Sequence, residues 1–80
     1  MNNANMMIKA FNAACQEFSY NIHIEEIDTD KYMVEEGSEA VAFGFFGEIN
    51  NYMREYTNKI SETEPNFRNA VRNNLLKLMG

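Results

Sequence analysis

The stretch EAVAFGFF, residues 39–46, admits two readings, and which one holds decides the architecture of the chain. As a strand entered from a Gly37-Ser38 turn it sets Val41, Phe43 and Phe45 on one face, because side chains alternate along a strand, and gives Gly44 a use as a bulge or close-approach point. As a helix capped by Ser38 it joins Val41, Ala42, Phe45, Phe46, Ile49, Tyr52, Met53, Tyr56 and Ile60 into one apolar face. The helix reading costs roughly 1 kcal/mol at each of Gly44 and Gly47 and strands Phe43 in solvent. The strand is therefore preferred.

Upstream, SYNIHIEEI (residues 19–27) alternates. Tyr20, Ile22 and Ile24 point one way and Asn21, His23 and Glu25 the other, the pattern of a half-buried strand. DTD (28–30) supplies turn residues whose side chains bond their own backbone, and KYMVEE (31–36) returns as the second strand of a hairpin. Before it, Met7, Ala10, Phe11, Ala14 and Phe18 recur at helical spacing, with Asn3 or Asn5 able to cap the helix start and Cys15 beside the stripe as a small core residue. Downstream, a helix runs from Gly47 to Ile60. SETEP (61–65) breaks it, with Thr63 or Glu64 placed to cap the next helix and Pro65 in its first turn, where a missing N–H does no harm. In the last helix Phe67, Ala70, Val71, Leu75, Leu78 and Met79 form an apolar stripe, with Leu76 at its edge. The fold class is α+β: an N-terminal helix, a two- or three-stranded antiparallel sheet and two C-terminal helices, αβββαα, or αββαα if 39–46 is helical.

Eighty residues make one small globular domain, 1–80, since so short a chain has too little surface to bury for two cores. Cys15 is the sole cysteine, which excludes an intrachain disulfide and points to a reducing compartment. The N-terminal segment lacks the apolar run and basic flank of a signal peptide and is too polar to span a membrane, so the expected location is cytoplasmic, with no membrane partner.

Charge is distributed unevenly. Nine acids stand against Lys9 and Lys31 up to Met53; from Arg54 onward five cations exceed three acids. Seven of the acids, Glu25, Glu26, Asp28, Asp30, Glu35, Glu36 and Glu39, fall within fifteen residues. A calcium loop fails as their explanation. Asp28, Asp30, Glu36 and Glu39 suit its oxygen positions, but Tyr32 and Met33 stand where it needs a further oxygen ligand and a glycine. No metal site and no cofactor is expected. Charged strand edges protect a sheet from aggregation without any partner. The same seven acids can also occupy the basic groove of a protein, imitating the phosphates of nucleic acid.

Catalytic chemistry finds little footing. His23 is the only histidine and lies on a polar strand face, neither Cys15 nor any serine has a base placed by sequence to activate it, and no phosphate loop or Cys/His metal spacing is present. The chain is not expected to be an enzyme. A competing reading takes the two C-terminal helices as a helix-turn-helix, with Arg68, Asn69, Arg72 and Asn73 presented to base edges. A net charge of −5 opposes it, because phosphate neutralisation dominates nucleic-acid affinity. A third reading is a dimeric structural module: six Met and six Phe exceed what a small core needs, and a homodimer relieves the marginal stability of a short chain.

Small, acidic, rich in asparagine and without catalytic groups, the chain is similar in general character to the accessory or inhibitor proteins that phages and mobile elements encode. The leading expectation, carried by Glu25, Glu26, Asp28, Asp30, Glu35, Glu36 and Glu39, is a non-enzymatic protein-binding module whose acidic surface occludes a basic, nucleic-acid-handling site on a host protein complex.

Overall fold

The computed structural model describes residues 3–80. Its elements are α1 (Asn3–Glu17), β1 (Ile22–Asp28), β2 (Lys31–Glu36), β3 (Glu39–Phe45), α2 (Phe46–Ser61) and α3 (Asn66–Met79). The architecture is αβββαα, with one antiparallel sheet in the order β1-β2-β3. Residues 39–45 are strand and the helix begins at Phe46, so the ambiguous stretch divides one residue before its end.

Gly44 permits that junction. Its φ is +157°, and the carboxylate of Glu48 lies 2.5 Å from where a Cβ would stand. Glu48, in the first turn of α2, folds back over the glycine, and its Oε1 accepts from the Phe45 N–H at 3.4 Å, serving one of the orphan donors at the helix start. A side chain at position 44 would occupy the same space.

The hairpins form as their turn residues predict. Thr29 N–H donates to Asp28 Oδ1 at 2.8 Å and Asp30 N–H to Glu26 Oε2 at 3.1 Å, while Asp30 takes a left-handed φ of 59°. Gly37, at φ 65°, turns β2 into β3. Two bulges interrupt the ladders, one between Glu26 and Asp28 on β1, the other where Ala42 and Ala40 of β3 face consecutive residues Val34 and Glu35 of β2.

The core lies between one face of the sheet and the helices. Ile22, Ile24, Tyr32 and Val34 come from the strands, Ile8, Phe11, Ala14 and Cys15 from α1, Ile49 and Met53 from α2, and Phe67 and Ala70 from α3. Phe67 is fully buried, and its ring centroid lies 5.6 Å from those of Phe18 and Tyr20, 6.0 Å from Phe11 and 6.1 Å from Tyr56. A radius of gyration of 11.9 Å is what roughly eighty residues sharing one core should have. Among the described residues no helix is long and apolar enough to cross a membrane.

Three local expectations are corrected. Asn3 and Asn5 are both helical residues, so neither precedes α1 as its cap; the position before Asn3 lies outside the described residues. Neither Thr63 nor Glu64 caps α3 with its side chain. The Thr63 hydroxyl instead donates to the Ile60 carbonyl at 3.3 Å and closes the end of α2, where unpaired carbonyls need donors. Leu78 and Met79 continue the apolar stripe of α3 in sequence but are exposed. Asn74 Nδ2 reaches Glu17, the last residue of α1, at 3.3 Å, and the turn of α3 that follows is left uncovered.

Candidate functional site

The face of the sheet turned away from the helices is where the chain departs from ordinary burial. Tyr32 and Val34 of β2 point into the core, so Met33 points out, and the ladder aligns it with Glu25 on one side and Phe43 on the other. In β3 the small residues Ala42 and Gly44 take the inner side, where Glu48 and α2 press close. Val41, Phe43 and Phe45 therefore face outward, 44%, 60% and 54% exposed. Ile27, displaced by the β1 bulge, joins them at 49%. Lys31 pairs with Phe45 across the ladder, its Nζ 5.7 Å from the ring centroid. Isolated exposed hydrophobic residues are ordinary, but a contiguous apolar strip on a sheet face marks a contact surface.

The two edges of that sheet are treated differently. On β1 the side chain of Asn12 bonds both backbone groups of Ile24: Oδ1 accepts from the N–H at 3.0 Å and Nδ2 donates to the carbonyl at 2.8 Å. That edge also carries Glu25, Glu26 and Asp28. On β3 the one side-chain bond to the backbone, among the described residues, is from Glu48 at the very end, and Glu39 is the strand's single charged residue. The β3 edge therefore has few of the devices that discourage strand addition.

The seven hairpin acids do not stand on one flank. Glu25, aligned with Met33, and Glu35, aligned with His23, belong to the open face. Glu26 lies opposite Tyr32 on the helix side and, with Asp28 and Asp30, gathers at the β1–β2 turn. Glu36 and Glu39 face each other at the far end of β2, beside the Gly37 turn. None is buried, and among the described residues the only ion-pair contact any of them makes is Glu25 with His23, at 4.0 Å. Arginines of the chain do not neutralise them. The four acids tested against a calcium loop are split between opposite ends of β2, and no group of three His, Cys, Asp or Glu among the described residues could hold a metal ion.

In the C-terminal set Arg68, Asn69, Arg72 and Asn73 are all exposed. Arg68 donates through Nη2 to Asn58 Oδ1 on α2 at 2.6 Å and lines a groove with Met7, Phe11, Met53 and Arg54. Asn69 and Asn73 line a different groove, with Glu17 at the end of α1 and Phe18 just beyond it. Arg68 and Arg72, like Asn69 and Asn73, stand four residues apart on one exposed arc of α3 that borders both grooves.

Cys15 is fully buried, and burial pushes its thiol up to about 12, far from a nucleophile's range. Tyr56, packed between Phe11 and Tyr52, is likewise raised to about 12 by burial first and by neighbouring groups second.

Ile27, Met33 and the outward orientation of β3 escaped the sequence reading. One signal for the latter was present: Ala42 and Gly44 alternate with Val41, Phe43 and Phe45, and small residues suit the side that a following helix must approach closely. Arg54 escaped as well, because nothing local distinguishes it from any exposed helical arginine. Comparison with family models, with curated proteins and with solved structures finds no match for the chain. Its function is read from geometry.

Proposed function

We propose that the protein is a non-enzymatic protein-binding module of the inhibitor or accessory kind, docking through the open face of its sheet. Phe43 carries the reading. It is the most exposed residue of the apolar strip formed with Ile27, Met33, Val41 and Phe45, and Glu25 stands in the same cross-strand row. Apolar anchors ringed by charge are the usual anatomy of a binding surface, the anchors supplying affinity and the charge supplying steering and specificity. The complementary partner is a protein whose apolar cleft is bordered by lysine or arginine, as a basic, nucleic-acid-handling groove on a host complex would be. Glu25 and Glu35 face it directly; Asp28 and Asp30 meet it only at the turn. Glu26, Glu36 and Glu39 contribute field rather than contact. The interaction is thus mixed apolar and electrostatic, not an acidic surface alone.

Affinity capture from native lysate, run in parallel with the wild type, Phe43→Ser and the pair Glu25→Lys with Glu35→Lys, tests this. A specific protein retained by the wild type should be lost with Phe43→Ser and weakened by the charge reversals and by salt, while both variants melt normally. Equal retention of the same proteins by Phe43→Ser would remove the docking face; equal retention by the charge reversals in low and high salt would remove the electrostatic part. A doubled mass in solution that Phe43→Ser returns to that of one chain would assign the face to a homodimer instead.

A further inference from the structure

We infer that the groove at the junction of the three helices binds a small amphipathic carboxylate, the acid held by Arg54 and Arg68 and the apolar tail lying on Met7, Phe11, Met53 and Val71. This site is separate from the open face of the sheet and does not depend on it.

The cavity measures about 420 Å³, within the range of small-molecule pockets. Each helix contributes by its own periodicity: Met7 and Phe11 from α1, Met53 and Arg54 from α2, Arg68 and Val71 from α3. Phe11 and Met53 are buried and form a floor held by the Phe11–Tyr56 and Phe11–Phe67 edge contacts. The walls carry two guanidinium groups and no carboxylate, in a chain where acids outnumber cations twelve to seven. Arg68 is oriented by Asn58, and that single bond leaves most of its five N–H donors free. The Arg54 side chain makes neither a hydrogen bond nor an ion pair among the described residues. Guanidinium recognises carboxylate through paired, charge-assisted hydrogen bonds, and an alcohol or amine with the same tail has no equivalent. Charge complementarity thus selects the acid, and the floor selects an attached hydrocarbon.

Methionine methyl NMR provides a test with its control built in. Met7 and Met53 line the groove, Met33 lies on the open sheet face and Met79 at the exposed end of α3. Octanoate, titrated below its micelle concentration, should shift the Met7 and Met53 methyl signals saturably and leave those of Met33 and Met79 in place. 1-Octanol should bind about tenfold more weakly or worse, and octylamine not at all, since losing a charge-assisted bond costs at least that factor. Arg54→Gln combined with Arg68→Gln should weaken octanoate by a similar factor without moving the melting midpoint, and Arg54→Gln alone should weaken it in part. Equal binding of octanoate and 1-octanol would overturn the inference. So would parallel shifts at Met33 and Met79, which indicate adsorption to any apolar surface, or unchanged binding by Arg54→Gln in a folded protein.

Discussion

The side chain of Asn12 acts as a short substitute strand for Ile24, accepting from its N–H at 3.0 Å and donating to its carbonyl at 2.8 Å. Ile24 is buried on the edge strand β1, so its outward-pointing backbone groups have little water to turn to. Replacing Asn12 by Ala leaves both without a protein partner. A loss of about 1–2 kcal/mol is expected, read as a melting midpoint lowered by roughly 4–16 °C, together with faster hydrogen exchange at the Ile24 amide. Asn12→Asp keeps the acceptor but not the donor and should fall between the two.

Gly44 and Glu48 make a coupled pair. Gly44→Ala meets both a left-handed backbone and the Glu48 carboxylate, and should cost about 1–3 kcal/mol in urea unfolding. Shortening Glu48 to Ala removes the carboxylate contacts at 2.5 and 2.8 Å but leaves the Cβ at 3.0 Å and the backbone strain. The double variant should therefore be more stable than the sum of the two single losses implies, and strict additivity would show that the side chain does not matter at Gly44.

Phe67 touches the rings of Phe11, Phe18, Tyr20 and Tyr56 and has no exposed surface. Truncation to Ala should cost about 3–5 kcal/mol, a large part of what stabilises a domain of this size. Near-UV circular dichroism from the tyrosines should collapse before the helical far-UV signal does. A melting midpoint within a few degrees of the wild type would contradict this account of the core.

Cys15 links stability to alkaline pH. Its native thiol is raised to about 12 by burial, against 9.0 for the unperturbed group. The folded state therefore holds the proton longer than the unfolded state does. The stabilisation is fully present below about pH 9 and is lost as pH rises toward 12, by up to roughly 1.4 kcal/mol per unit. Urea midpoints should fall above pH 9 in the wild type and less steeply in Cys15→Ala, in which Tyr56 still titrates. At pH 8 a thiol reagent should modify Cys15 in urea but not in the native protein.

Much of the chain was legible because its signals are local. Ile22 and Ile24 alternate with His23 and Glu25 and are buried as that pattern requires; Asp28, Asp30 and Gly37 make the turns their chemistry suits; Phe67 and Ala70 anchor the last helix. Illegible were features that depend on what lies across space. The end of the stripe on α3 could not be read, since whether Leu78 and Met79 are covered depends on where another helix stops. That Arg54 and Arg68 line one groove depends on how α2 packs on α3, and the gathering of Glu26, Asp28 and Asp30 at one end of the hairpin and of Glu36 and Glu39 at the other depends on the register of the paired strands.

By itself, then, the amino-acid order settled the kinds and succession of the elements outside residues 39–46, which it left between strand and helix, because dihedral preference and periodicity act over a few residues. Only the tertiary structure decided which face of β3 is buried. Period-two alternation is symmetric between a strand's two sides, and the choice went to the side where Ala42 and Gly44 admit α2 and Glu48, leaving Val41, Phe43 and Phe45 to solvent.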